Sequence, residues 1–251
     1  MKIVVGLCVV VGLLLPAFVS GQPVQPIQLV DSPTVWLLPT GSFIVDLRIQ
    51  PAGSMLLGLD VELFDELFIG VSYGGDQIIG YGRPNFNPRV EFHVRYRFLE
   101  EYGTNPSFCL GFNSQGYAGY HKEVSRYRIK SKGFYGVAGK SFPFQGTFSV
   151  QAGMNYSLET DDDDREPSLF LGMSQTLGQQ LLFLGEYDFA FNDNRKDGRF
   201  GEGKGYLNLG VRWTYQGRMF FELDFCNLSG NGEGEFAKVW RTVKIGYIEF
   251  L

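Results

Sequence analysis

The chain has 251 residues, enough for one large domain or one barrel but short for two. Charged residues are 20% and hydrophobic residues 44%, which excludes a disordered polymer and a bundle of membrane helices; a net charge of −5 without a basic stripe excludes a nucleic-acid partner. Aromatics are 16%, and the 33 glycines are nearly twice an average share, a composition that suits strands and sheet bends and points to an all-β protein.

Residues 1–21 join one lysine to an apolar run and end in small residues, Ser20 and Gly21. This is the pattern of a secretory signal peptide cleaved after Gly21. The apolar run, 3–19, contains Pro16 and has no charged stop, so a transmembrane anchor fits less well. Residues 22–40 carry several prolines and read as an extended lead-in, and 41–251 read as a single domain.

Past residue 40 a period of two recurs. In Thr147–Tyr156, Phe148, Val150, Ala152, Met154 and Tyr156 share one face; in 89–98, Val90, Phe92, Val94, Tyr96 and Phe98 do. Twelve such runs are predicted: 41–50, 54–63, 67–74, 89–98, 107–113, 131–141, 146–157, 167–176, 180–191, 205–215, 218–227 and 238–250. Most are close to the roughly nine to eleven residues with which a tilted strand crosses a bilayer. The connections alternate too. Even-numbered links are brief, as at 64–66, 143–145, 177–179 and 216–217, whereas odd-numbered ones are mostly long and polar, as at 75–88, 114–130, 160–166, 192–204 and 228–237. Link 51–53 breaks that rule. Short turns at one rim and long loops at the other describe an antiparallel transmembrane barrel of the bacterial outer membrane, with about twelve strands and both termini periplasmic. Tyr73, Phe98, Tyr156, Phe191, Tyr215 and Tyr247 would form aromatic girdles at the lipid–water interfaces. A secreted sandwich shares the alternation but gives no reason to sort loop lengths by parity.

Several stretches resemble the YjbH-like group of bacterial outer-membrane proteins: LFIGVSYGGDQIIGYGRPNFNPRVEFHVRYRFLEE (67–101), SFCLGFNSQGYAGY (107–120), KGFYGVAGKSF (132–142), GYLNLGVRW (205–213) and LDFCNL (223–228). The NPR and SQGY pieces are the most distinctive. The resemblance implies a barrel serving production or export of surface exopolysaccharide, with polysaccharide or its export machinery as partners. A barrel in the outer membrane also implies lipids as its surroundings and the barrel-assembly machinery during biogenesis.

No catalytic set emerges. His93 lies among strand charges and His121 in a loop, neither near a nucleophile motif such as GxSxG, so a barrel hydrolase is the weakest of three readings. The run Asp161–Asp164 lacks the glycine and alternating spacing of a calcium loop and reads as a solvated outer loop. Cys109 and Cys226 lack zinc spacing, and strand phase puts them across the lumen from each other as free thiols. No metal or cofactor is expected. The candidate residues line the lumen by strand phase: Asp46, Arg48, Asp60, Glu62, Arg89, Glu91, His93, Arg95, Arg97, Glu186, Asp188, Arg212, Glu222, Asp224 and Lys244. They could line a porin-like channel, bind sugar hydroxyls, or pair and plug the lumen. Phe68, Phe170, Leu182, Leu184 and Phe220 also point inward by phase and would fill part of it.

Overall fold

A computed structural model describes residues 25–194 and 200–250. The leader and part of the 192–204 loop lie outside the described residues.

The chain forms one closed antiparallel barrel of twelve strands. In chain order the strands are β1 (Phe43–Gln50), β2 (Ser54–Phe64), β3 (Leu67–Asp76), β4 (Asn85–Phe86), β5 (Glu91–Leu99), β6 (Ser107–Asn113), β7 (Tyr117–His121), β8 (Arg126–Ile129), β9 (Gly133–Pro143), β10 (Thr147–Tyr156), β11 (Ser168–Leu177), β12 (Leu181–Asp188), β13 (Tyr206–Tyr215), β14 (Met219–Cys226) and β15 (Trp240–Glu249). All but β4, β7 and β8 belong to the ring, which closes where β1 meets β15, Phe43 opposite Glu249. Closure leaves no unpaired strand edge, the condition for placing sheet in hydrocarbon. Each predicted run contains a ring strand, though 180–191 ends early: β12 stops at Asp188, and Phe191 starts a 3-10 turn.

Alternation sets the two faces. Leu59, Val71, Phe92, Val94, Leu110, Met154, Leu171, Phe183, Val211, Phe221 and Ile245 are exposed on the outer wall. Phe68, Phe170, Leu182, Leu184 and Phe220 are buried inside, as the strand phase requires. Of the expected girdle, Tyr73, Phe98, Tyr156, Phe191 and Tyr247 are exposed.

Short turns share a rim with both ends of the barrel. At one of them Gln216 and Gly217 both have positive φ, 51° and 68°, and Arg218 N donates to Tyr215 O at 3.1 Å, a type I′ turn. At the opposite rim the 114–130 link is not a plain loop. It folds into the β7–β8 hairpin, which packs over the mouth of the barrel. The break in loop parity at 51–53 is a 3-10 turn.

Candidate functional site

Residues 27–38 of the lead-in do not continue as one extended segment: they enter the lumen from the short-turn rim, reverse, and return. Two features make the reversal. Leu29 N donates to Ser32 O at 2.9 Å, closing a tight turn, and Gln28 pairs with Pro33. Thr34 Oγ1 donates to Pro26 O at 2.7 Å across the hairpin. Leu29, Val30, Val35, Ser32 and Thr34 are all fully buried. An apolar segment is stable only where it is covered, and the barrel interior is the surface that covers this one.

One inward row of the wall grips it. Gln151, Gly172, Glu186 and Asn208 stand opposite one another in register across β10, β11, β12 and β13. Gln151 Oε1 accepts from Val35 N at 2.9 Å. Glu186 accepts the amides of Asp31 at 2.9 Å and Ser32 at 2.8 Å, and Asn208 Nδ2 donates to it at 2.8 Å. At Gly172 any Cβ would collide with Leu29 Cδ1, and one at Gly139 would sit 2.7 Å from Val35 Cγ2. Here the glycines are space for the hairpin rather than bends in the strands.

Strands β1 and β15 hold the turn by its carbonyls and its one carboxylate. Lys244 Nζ donates to Val30 O at 2.7 Å and Arg48 Nη1 to the same oxygen at 3.2 Å, while Arg48 pairs with Asp31. Arg48 and Lys244 are opposed in register on β1 and β15, a repulsive placement that Asp31 and Asp224 offset. Lower down, Arg95 Nη1 reaches Ile27 O and Trp36 O, both at 2.9 Å, tying the two arms together. Buried charges bonded this fully are the form in which a low-dielectric interior tolerates them.

The remaining lumen candidates fall into smaller groups. Glu222 bridges Arg212 and Lys244 across three adjacent strands, and Asp224 lies 3.3 Å from Lys244. His93 Nε2 is 2.7 Å from Asp60 and stacks on Phe68, and Gly70 leaves room for the pair. Asp46 faces Gly58 beside this group, and Glu62 is wholly buried near the lower rim. Asp188 pairs with Lys132 and accepts from Ser168 Oγ at 3.2 Å. One candidate sits at a rim instead of the lumen: the exposed Arg89 precedes β5 and pairs with Glu91. Arg97, on the inward face of β5, lies at the lower end of the lumen and reaches Asp65 O near a short turn. Cys109 and Cys226 are buried free thiols, and Cys109 Sγ donates to Val35 O at 3.5 Å.

The β7–β8 hairpin closes the mouth above the turn. Tyr117 and Ile129 pack with Leu29 and Val30, the Arg48 guanidinium lies 4.0 Å from the Tyr117 ring centre, and Tyr127 OH donates to Glu91 at 3.1 Å. Arg126 then binds Asp162 at 2.6 Å and Asp193 at 3.0 Å, stitching three loops together. Asp162 also receives Lys130 at 2.8 Å; despite partial burial, these cations hold its carboxyl below the usual carboxylate range. Two members of the aspartate run are therefore structural: Asp162 clasps the loops, and Asp164 accepts from Asn194 N at 2.9 Å. Among the described residues no group of three His, Cys, Asp or Glu side chains is arranged to hold a metal.

Sequence phase found the wall but missed Asp31, Gln151, Gly139, Gly172, Lys132 and Arg126. A signal was present: Leu29-Val30-Asp31-Ser32 lies between Pro26 and Pro33 in an apolar stretch, the composition of a buried turn.

These features define a class: a twelve-stranded transmembrane β-barrel whose lumen is occupied by its own N-terminal hairpin. No protein-family model matches the chain, and no curated protein does. Among solved structures it is similar to the KdgM porin at 10% identity and a TM-score of 0.52, covering 84% of this chain and 99% of that one. It is likewise similar to the KdgM porin in complex with disordered oligogalacturonate, at 9% identity and a TM-score of 0.50 with the same coverage. At such identity the likeness is one of fold.

Proposed function

We propose that this protein is a non-enzymatic barrel of the bacterial outer membrane, exported through a cleaved signal peptide. Its N-terminal hairpin holds the lumen closed at rest, and the barrel passes or hands on saccharide chains for the cell surface when the hairpin withdraws. The observation that carries this reading is the grip on the hairpin turn by β1, β12 and β15 through Arg48, Glu186 and Lys244. With the hairpin gone, those groups, Arg95 and Gln151 would line an aqueous lumen. Opposed guanidinium, ammonium and carboxylate groups suit the hydroxyls and carboxylates of a sugar polymer. Two likenesses support the substrate class: the YjbH-like segments, with their link to exopolysaccharide, and a porin of similar fold whose structure includes an oligogalacturonate.

Outer-membrane lipids, the barrel-assembly machinery and a polysaccharide-export apparatus are the partners this function requires. A permanently open passive porin is the second reading, favoured by the porin fold and opposed by the occupied lumen. The test is uptake into proteoliposomes of a size series of neutral and acidic oligosaccharides, by the wild type and by a chain lacking residues 25–38. Uptake by the shortened chain alone is expected, with loss of surface polysaccharide when the protein is deleted from its cell. Equal uptake by both proteins would refute the closed state, and unchanged surface polysaccharide would refute the assigned role.

A further inference from the structure

Outside the lumen, two concavities meet at one side chain. On the outer wall an apolar groove of about 470 Å³ follows the cross-strand row Val61, Ile69, Val94 and Phe112. This row crosses β2, β3, β5 and β6 and climbs obliquely from the lower half of the barrel towards the long-loop rim. Leu59, Val71 and Phe92 border it in the next row. Phe112, at its top, is also a wall of a second cavity of about 310 Å³. That volume lies at the lower end of the roughly 300–1,000 Å³ of ligand pockets.

The second cavity has a different chemistry. It lies between the β7–β8 hairpin and the 157–161 loop, lined by the hydroxyl residues Ser125, Ser131 and Tyr120, the aromatic Phe112, and the charged Arg89 and Asp161. Glu159 also lines it, is 6% exposed, and accepts from Ser131 N at 3.2 Å through Oε2. Its other oxygen, Oε1, is buried without a hydrogen-bond partner. A buried polar atom needs a partner, and one that lines a cavity can take it from a water or from a bound polar group. Burial pushes the Glu159 carboxyl up to about 8, so at neutral pH it is mainly protonated and able to donate as well as accept.

We propose that these two concavities form one binding site for a glycolipid of the outer leaflet. Its acyl chain lies in the groove, and its sugar headgroup sits in the polar cavity with one face against Phe112 and a hydroxyl on Glu159. The order of the two parts fits a bilayer: the apolar groove lies at membrane depth, and the polar cavity lies at the long-loop rim where headgroups reside. A free sugar would leave the groove bare, and a plain fatty acyl lipid would leave Glu159 Oε1 unpaired. The site lies outside the lumen.

The test is native mass spectrometry of the whole mature protein released from phosphatidylcholine nanodiscs doped with monoglucosyl diacylglycerol, phosphatidylglycerol or diacylglycerol. Retention of the glucosyl lipid at least tenfold above the other two is expected, with methyl glucoside a poor competitor. Val94→Trp, which fills the groove, and Ser125→Trp, which fills the cavity, should each reduce retention to the diacylglycerol level. Equal retention of all three lipids would overturn the proposal, since the wall would then hold only annular lipid. Complete displacement by methyl glucoside would also overturn it, by marking a site for soluble sugar. The comparison of headgroups on the wild type decides the matter even where a filled variant does not fold.

Discussion

Replacing Gly172 by valine should open the barrel without weakening its wall. The added Cβ meets Leu29 Cδ1 of the hairpin, whereas the nearest wall atom, Gly185 O, is 3.8 Å away. Leu29 is fully buried and has nowhere to retreat except out of the lumen. Overpacking of this kind costs about 1–3 kcal/mol, and here the cost falls on the inserted state alone. Valine also favours the strand conformation more than glycine does, so the ring itself should fold at least as well. A bias of about 1–3 kcal/mol corresponds to roughly 5–150-fold in the population of the withdrawn hairpin. Cys109 reports that population directly, because it is 1% exposed and covered by Val35. In a Cys226→Ser background, the rate at which a small water-soluble maleimide labels Cys109 should rise by that factor in Gly172→Val. Leu29→Ala should reverse most of the increase, since truncating the leucine removes the clash, and the two changes should be strongly non-additive. Labelling of Gly172→Val at the wild-type rate while it folds normally, or a faster rate left unchanged by Leu29→Ala, would show that the clash does not drive the hairpin out.

Adjacent residues on β5 should respond in opposite ways. Val94 is exposed on the outer wall, and Val94→Arg at membrane depth should cost about 2–4 kcal/mol and reduce folding yield into vesicles. Arg95→Met should fold at near wild-type yield, yet speed the labelling of Cys109, because two hairpin carbonyls lose their donor. The mouth should loosen in alkali. Folding raises the Glu159 carboxyl from 4.5 to about 8, so its protonated form stabilises the loop fully below pH 4.5, and that contribution is lost as pH rises through about 8. Proteolytic nicking of the 157–166 loop should therefore increase between pH 6 and 9, and Glu159→Gln should flatten the dependence.

The barrel was legible because lipid and lumen impose opposite demands on alternate residues. In Thr147–Tyr156 this prints the pleat directly onto the sequence, and β10 covers those same ten residues. Loop parity was legible for a similar reason: a turn such as Gln216-Gly217 needs two residues, and the far rim is free to elaborate. What a lumen charge does was not legible. Phase places Arg48, Arg95, Glu186 and Lys244 inside, but what they hold of the hairpin is, apart from the Asp31 carboxylate, backbone amides and carbonyls of residues 27–36, which carry no side-chain signature. Gly139 and Gly172 read as ordinary strand glycines until the hairpin that needs their space is seen. The β7–β8 hairpin escaped because its strands are five and four residues long and irregularly paired, too short for a period of two to emerge. Arg89 was placed inside because the alternation was extended two residues beyond the start of β5, where the chain no longer follows the pleat.

Single-channel recording in planar bilayers tests the central claim, that the N-terminal hairpin closes the lumen. The wild-type barrel is predicted to be silent apart from rare brief openings, and the chain lacking residues 25–38 to give steady conductance that falls when long oligosaccharides are added. Steady wild-type conductance, unchanged by removal of the hairpin, would contradict the account.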